Sequence, residues 1–131
     1  MVTINISSTK RTEFIDITYQ IERVIREKEI KEGICIIFSP HTTAGLTINE
    51  NADPSVREDI INHIGRLIPY RERYLHLEGN ADSHIKASIF GSSLSLIVKD
   101  KRLVLGRWQG IYFCEFDGPR ERKVYVKVLS G

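Results

Sequence analysis

Residues 33–51 read GICIIFSPHTTAGLTINEN, and the order of those residue types decides the fold. GICIIF is an unbroken apolar run bounded by Gly33 and Pro40, the pattern of a strand covered on both faces. LTIN resumes strand character beyond SPHTTAG, so His41 stands where a core strand ends. Side chains on short loops held by a rigid sheet are disproportionately those that bind or catalyse. A histidine at a strand end also serves as a hydrogen-bonded structural residue, and both readings stand at this point.

Working outward, VTINIS at 2–7 alternates apolar and polar as a half-buried strand does, and TEFIDI reads as a second strand. Ile17, Ile21, Val24 and Ile25 then fall at helical spacing, with Thr18 or Asp16 as the cap and Glu22 and Arg26 as an exposed pair. ADPSVREDIINHIGRLI predicts a second helix capped by Asp53, with Pro54 in its first turn and Ser55 with Glu58 as a capping box. Its buried stripe is Val56, Ile60, Ile64, Leu67 and Ile68, and His63 borders it. A short helix from about Ser83 to Gly91 puts Ile85 and Ile89 on one face. SLSLIV, LVLGRWQGIYFCEF and KVYVKVL read as strands joined by the turns KDKR and DGPRER. The order of elements predicts an α+β domain with a mainly antiparallel sheet and two main helices.

Bulk properties narrow the function classes. A chain of 131 residues fits one domain, 1–131, and 41% hydrophobic with 27% charged residues is a globular composition. No apolar run approaches a membrane span and the N-terminus has no secretory pattern, which places the protein in the cytoplasm with no membrane partner. Net charge is only +2, with basic residues interspersed among acidic ones, so no nucleic-acid partner is expected. RLIPYRERY and GPRERK, the densest basic segments, read as solvated loops, and Cys35 and Cys114 read as buried free thiols.

The chemically loaded segment is YLHLEGNADSHIKASIFGSS, which carries His76, Glu78, Asn80, Asp82 and His84. If His41 converges with His76 and His84, three neutral imidazoles with an open position make a catalytic zinc-type site, with Glu78, Glu115 or Asp82 as supporting carboxylate or base. The spacing of His76 and His84 imposes no geometry by itself, so separately satisfied polar side chains are the other reading. Glu115 shares a strand face with Ile111 and Phe113 and needs a partner there: an imidazole, an arginine or a metal. Trp108 reads as a core or interface anchor, or as a platform for substrate.

Three stretches, SPHTTAGLTINENADPSVREDI, HLEGNADSHIKASIFGSSLSLIV and LGRWQGIYFCEFDGPRERKV, resemble the YjbQ-like family, also described as secondary thiamine-phosphate synthases. The resemblance implies a mixed, mainly antiparallel sheet curved into a half-barrel, and a homotrimer with the histidines near subunit contacts. Carried onto this sequence, it implies functional roles for His41, Glu50, Asn51, His76, Glu78, His84, Trp108, Gln109 and Glu115. Assigned by chemistry, Glu78, Glu115 and Gln109 are the catalytic candidates, and His41, His76 and His84 the ligands of a divalent metal, zinc or nickel rather than magnesium. Thr42, Thr43, Glu50, Asn51, Trp108 and Arg107 are the candidates for holding a phosphorylated small molecule. Arg107 stands where the family commonly has threonine, and KDKR lacks the family's usual turn glycine, a change expected to be harmless. The implied reaction joins a pyrimidine pyrophosphate to a thiazole phosphate; a metal-dependent hydrolase and a metabolite-binding trimer are the rival classes.

Overall fold

The computed structural model describes Met1–Gly131. Strands β1 (Val2–Ser7), β2 (Glu13–Asp16), β3 (Glu32–Phe38), β4 (Ala44–Glu50), β5 (Ser93–Lys99), β6 (Arg102–Leu103), β7 (Gln109–Glu115) and β8 (Glu121–Ser130) alternate with helices α1 (Thr18–Lys28), α2 (Pro54–Leu67) and α3 (Ala81–Phe90). Every strand pair is antiparallel. One sheet runs β1-β8-β3-β5-β6, the other β2-β7-β4, and together they curl into a half-barrel. No helix is long and apolar enough to cross a membrane.

The main core lies between the inner faces of the two sheets, with α1 against it. Cys35, Ile37, Val98, Val124 and Val126 meet Leu46, Ile111 and Phe113, and α1 contributes the expected Ile21, Val24 and Ile25 just after Ile17. Ile17 itself is the N-cap residue; Asp16 caps from one position earlier, its Oδ1 accepting from Thr18 N at 2.9 Å. The exposed ion pair on α1 is Arg23 with Glu27, at 3.0 Å, rather than Glu22 with Arg26. A second core lies on the far side of β7, where Tyr112, Cys114 and Phe116 pack with Phe14 and Ala87.

Three expectations change. GICIIF is covered on one face only: Cys35 and Ile37 point into the core, whereas Ile34 is 48% exposed and Phe38 43%. The expected stripe of α2 is only partly covered and Leu67 is exposed, because the helix sits at the margin of the narrow three-stranded sheet. α3 is a full helix that starts at Ala81 and turns Ile85 and Ile89 to solvent, while Asp82, Ser83 and Lys86 face inward. In KDKR, Asp100 and Lys101 both take positive φ, 52° and 62°, the left-handed geometry for which hairpin turns favour Asn and Gly.

Candidate functional site

His41 follows β3 on the loop to β4, and its ring occupies the place where a further strand pairing would fall. Lys123 N donates to His41 Nε2 at 3.0 Å, and Lys123 O lies 3.1 Å from the same nitrogen. The imidazole thus caps the backbone of β8 just beyond its pairing with Phe38, the last residue of β3. Nδ1 is left as the ring nitrogen free of protein partners. Burial, then the neighbouring Arg122 cation, hold the His41 pKa below its ordinary value of 6.5, so the ring is neutral at pH 7.

α3 brings the second imidazole. Its C-terminal Gly91, at φ 94°, turns the chain so that Gly91 O accepts from Leu46 N at 3.0 Å and Ser92 O from Ser39 N at 2.8 Å. These bonds lay the end of α3 along the start of β4 and open a cleft of about 370 Å³. His41 and His84 both line it, with Thr42, Ser88 and Ser92 supplying hydroxyls, and no carboxylate, lysine or arginine in the lining.

His76 lies beside His84, their ring centroids 5.3 Å apart, and Glu78 comes within 3.8 Å of His76 Nε2 while remaining largely in solvent. His84 therefore stands beside His76 and shares the cleft lining with His41, and no three His, Cys, Asp or Glu side chains stand together in a metal-holding arrangement. The side chains gathered within one chain therefore do not make a three-histidine set for a divalent ion.

Two residues expected at the site lie beneath it instead. Glu115 is 0% exposed; its carboxylate accepts from Ser8 Oγ at 2.7 Å and Arg122 Nε at 2.8 Å, and pairs through its other oxygen with Arg122 Nη2. Thr43 is buried too, its hydroxyl accepting from Arg122 Nη2 at 2.8 Å. Burial raises the Glu115 pKa, but its hydrogen bonds, with Arg122 first, outweigh that and hold it below 4.5. Glu115 is thus a fixed anion under the His41 loop, with an arginine as the partner that its strand face required. Arg122 was read as part of a solvated loop; it is the second residue of β8 and is buried, seven residues beyond Glu115 in the chain. The thiols are structural: burial pushes Cys35 up to about 11 and Cys114 up as well.

Glu50, Asn51, Arg107, Trp108 and Gln109 gather at the other end of β4 and β7, since Glu50 pairs with Gln109 while Ala44 pairs with Glu115. The length of β4 separates them from His41 by roughly 20 Å. There Asn51 donates to Asp16 Oδ2 at 3.1 Å, Gln109 Oε1 accepts from Gly106 N at 2.7 Å, and the Arg107 guanidinium stacks on a half-exposed Trp108, 4.7 Å from the ring centroid. Within one chain the expected site residues form two groups.

An antiparallel half-barrel of two curled sheets with three helices defines a small α+β protein class. The description of that class is a family: the model for UPF0047 protein YjbQ-like matches residues 2–131, and the chain belongs to this family. It is 56% identical over 125 residues to a UPF0047 protein of Methanocaldococcus jannaschii, covering 95% of this chain and 91% of that one. It is 50% identical to YugU of Bacillus subtilis, covering 98% of each chain. Among solved structures, an uncharacterized YjbQ/UPF0047 family protein from Clostridium acetobutylicum superposes with a TM-score of 0.97 at 46% identity, covering 98% of this chain and 100% of that one. A protein of unknown function from Sulfolobus solfataricus gives 0.95 at 34% identity, covering 99% and 96%.

Proposed function

We propose that the chain is an enzyme converting a small phosphorylated metabolite at the cleft between His41 and His84. One observation carries this reading: two imidazoles from separate elements face a single cleft of about 370 Å³ whose remaining lining is small or hydroxyl-bearing. That volume lies in the range of small-molecule sites, and an imidazole neutral near pH 7 can take up or hand over a proton in the working range. The reaction implied by the family resemblance is thiamine phosphate formation. A thiazole ring nitrogen attacks the methylene carbon of the pyrimidine, the new C–N bond forms, the C–O bond to pyrophosphate breaks, and pyrophosphate leaves with the electron pair. In that role His84 orients the leaving oxygen by donating a hydrogen bond to it, while the Thr42, Ser88 and Ser92 hydroxyls hold the polar groups.

The test is incubation of the purified protein with both phosphorylated precursors and separation of the products. Thiamine phosphate with equimolar pyrophosphate, lost in His84→Ala, supports the reading; hydrolysis of either precursor alone indicates the hydrolase; absence of any turnover defeats the enzyme reading. Assembly as a homotrimer belongs to the same proposal. It is supported by the outer face of the five-stranded sheet, where Ile34 pairs with Ile97 on one side and Leu129 on the other, and all three are exposed. A monomer by light scattering at micromolar concentration defeats it.

A further inference from the structure

His84 also lines a second cavity, a trough of about 490 Å³ between the start of α3 and the segment 73–76. Cleft and trough differ in chemistry. The trough wall includes Tyr74, Leu75 and Ile85, with Arg73 its one permanent cation and the Glu78 carboxylate 3.8 Å from His76 at its edge. Leu75 is 99% exposed, an apolar side chain held in water at the rim. Tyr74 is fixed there, its hydroxyl donating to Pro69 O at 2.6 Å. Arg73 has no carboxylate partner among the ion pairs of the chain. Inside the first turns of α3, Asp82 is bound by both Arg11 (3.1 Å) and Lys86 (2.9 Å), which leaves that cluster one net positive charge. The cleft has none of this: it contains no cationic side chain and lies at the C-terminal end of α3, where the aligned peptide dipoles disfavour an anion.

Resting on the reading of the site as one for a phosphorylated metabolite, we propose that its substrate is bipartite. The phosphate-bearing planar ring lies in the trough, phosphate toward Arg73 and ring against Tyr74, Leu75 and Ile85. An uncharged polar portion lies in the cleft among the hydroxyls. His84, the one side chain common to both cavities, stands where the two portions join. The charge distribution sets this orientation, because a desolvated phosphate is stabilised by a guanidinium and not by neutral hydroxyls at a helix C-terminus. The apolar wall adds selectivity for a ring over free phosphate.

The probes are phenyl phosphate and inorganic phosphate, each titrated into the full chain and followed by amide NMR shifts. Phenyl phosphate binds at least tenfold more tightly and moves Leu75, Ala81 and Ile85. Arg73→Gln weakens both probes about tenfold, and Ile85→Ser weakens only phenyl phosphate; both side chains are exposed, so the fold is retained. Shifts confined to Thr42, Ser88 and Ser92, with Arg73→Gln unchanged, overturn the orientation while leaving the phosphorylated-metabolite reading intact. Failure of both probes to bind overturns both.

Discussion

β3 and β7 carry the same kind of sequence, ICIIF and IYFCEF, and meet opposite fates. From Gly110 through Glu115, β7 is buried on both faces: Ile111 and Phe113 enter the core between the sheets, and Tyr112 and Cys114 the core beneath α2 and α3. β3 buries Cys35 and Ile37 and leaves Ile34 and Phe38 in solvent, because no helix of this chain crosses the outer face of its sheet. An unbroken apolar run therefore states that both faces have somewhere apolar to go. It does not state whether the covering comes from the same chain.

The sharpest way to break this comparison is to truncate one residue of each strand. Phe113→Ala is expected to cost about 3–5 kcal/mol by opening a cavity in the core. Ile34→Ala is expected to cost no more than about 0.5 kcal/mol in denaturant titrations at concentrations where the chain is monomeric. A comparable loss at both positions would show that Ile34 is covered within the chain. Ile97→Glu sharpens the contrast: it leaves the monomer folded and abolishes higher oligomers in light scattering.

The charge buried on β7 gives the next effect. Arg122→Ala strands the Glu115 carboxylate and is expected to lower stability by about 3–5 kcal/mol, whereas Arg122→Met combined with Glu115→Leu removes both charges and recovers most of it. Equal losses in the single and double variants would mean that packing, not charge, holds this site.

Acid should act in two stages. His41 has a folded-state pKa below 6.5, so the unfolded chain binds the proton more readily and stability begins to fall as pH drops below 6.5. Glu115 and Asp82 have folded-state pKa values below 4.5 and 3.8, so their contribution is complete above those values and is lost as pH falls through the depressed ones. Thermal melts from pH 7 to 3 check this. His41→Asn should flatten the first stage alone, and the double variant at 115 and 122 should flatten part of the second.

The smallest effect concerns a strand end. Lys101→Gly relieves one left-handed residue of the β5–β6 turn and should raise stability by up to about 1 kcal/mol, read as a higher denaturation midpoint. A loss instead would show that Lys101 makes a compensating contact.

Much of the fold was legible because it is written in local periodicity. Ile17, Ile21, Val24 and Ile25 recur at the helical interval and all four are buried; Asp53 with Pro54 marks the start of α2, and Ser55 N donates to the Asp53 carboxylate at 2.9 Å. The histidine segments could be marked as chemically loaded, but that His76 stands beside His84 and that His84 lines one cleft with His41 came from the fold, since their spacing imposes no geometry. What only the tertiary structure decided are the relations that cross the chain. Ser8 reaches Glu115 across 107 residues and Arg122 reaches Thr43 across 79, and these contacts turn an expected base and an expected substrate hydroxyl into the footing of the His41 loop. The register of β4 against β7 sends Glu50 and Gln109 to one end of the sheet and leaves the histidines at the other. Periodicity fixes which way a side chain faces on its own element; which atoms it meets depends on how distant elements pair and pack, and no local pattern carries that information.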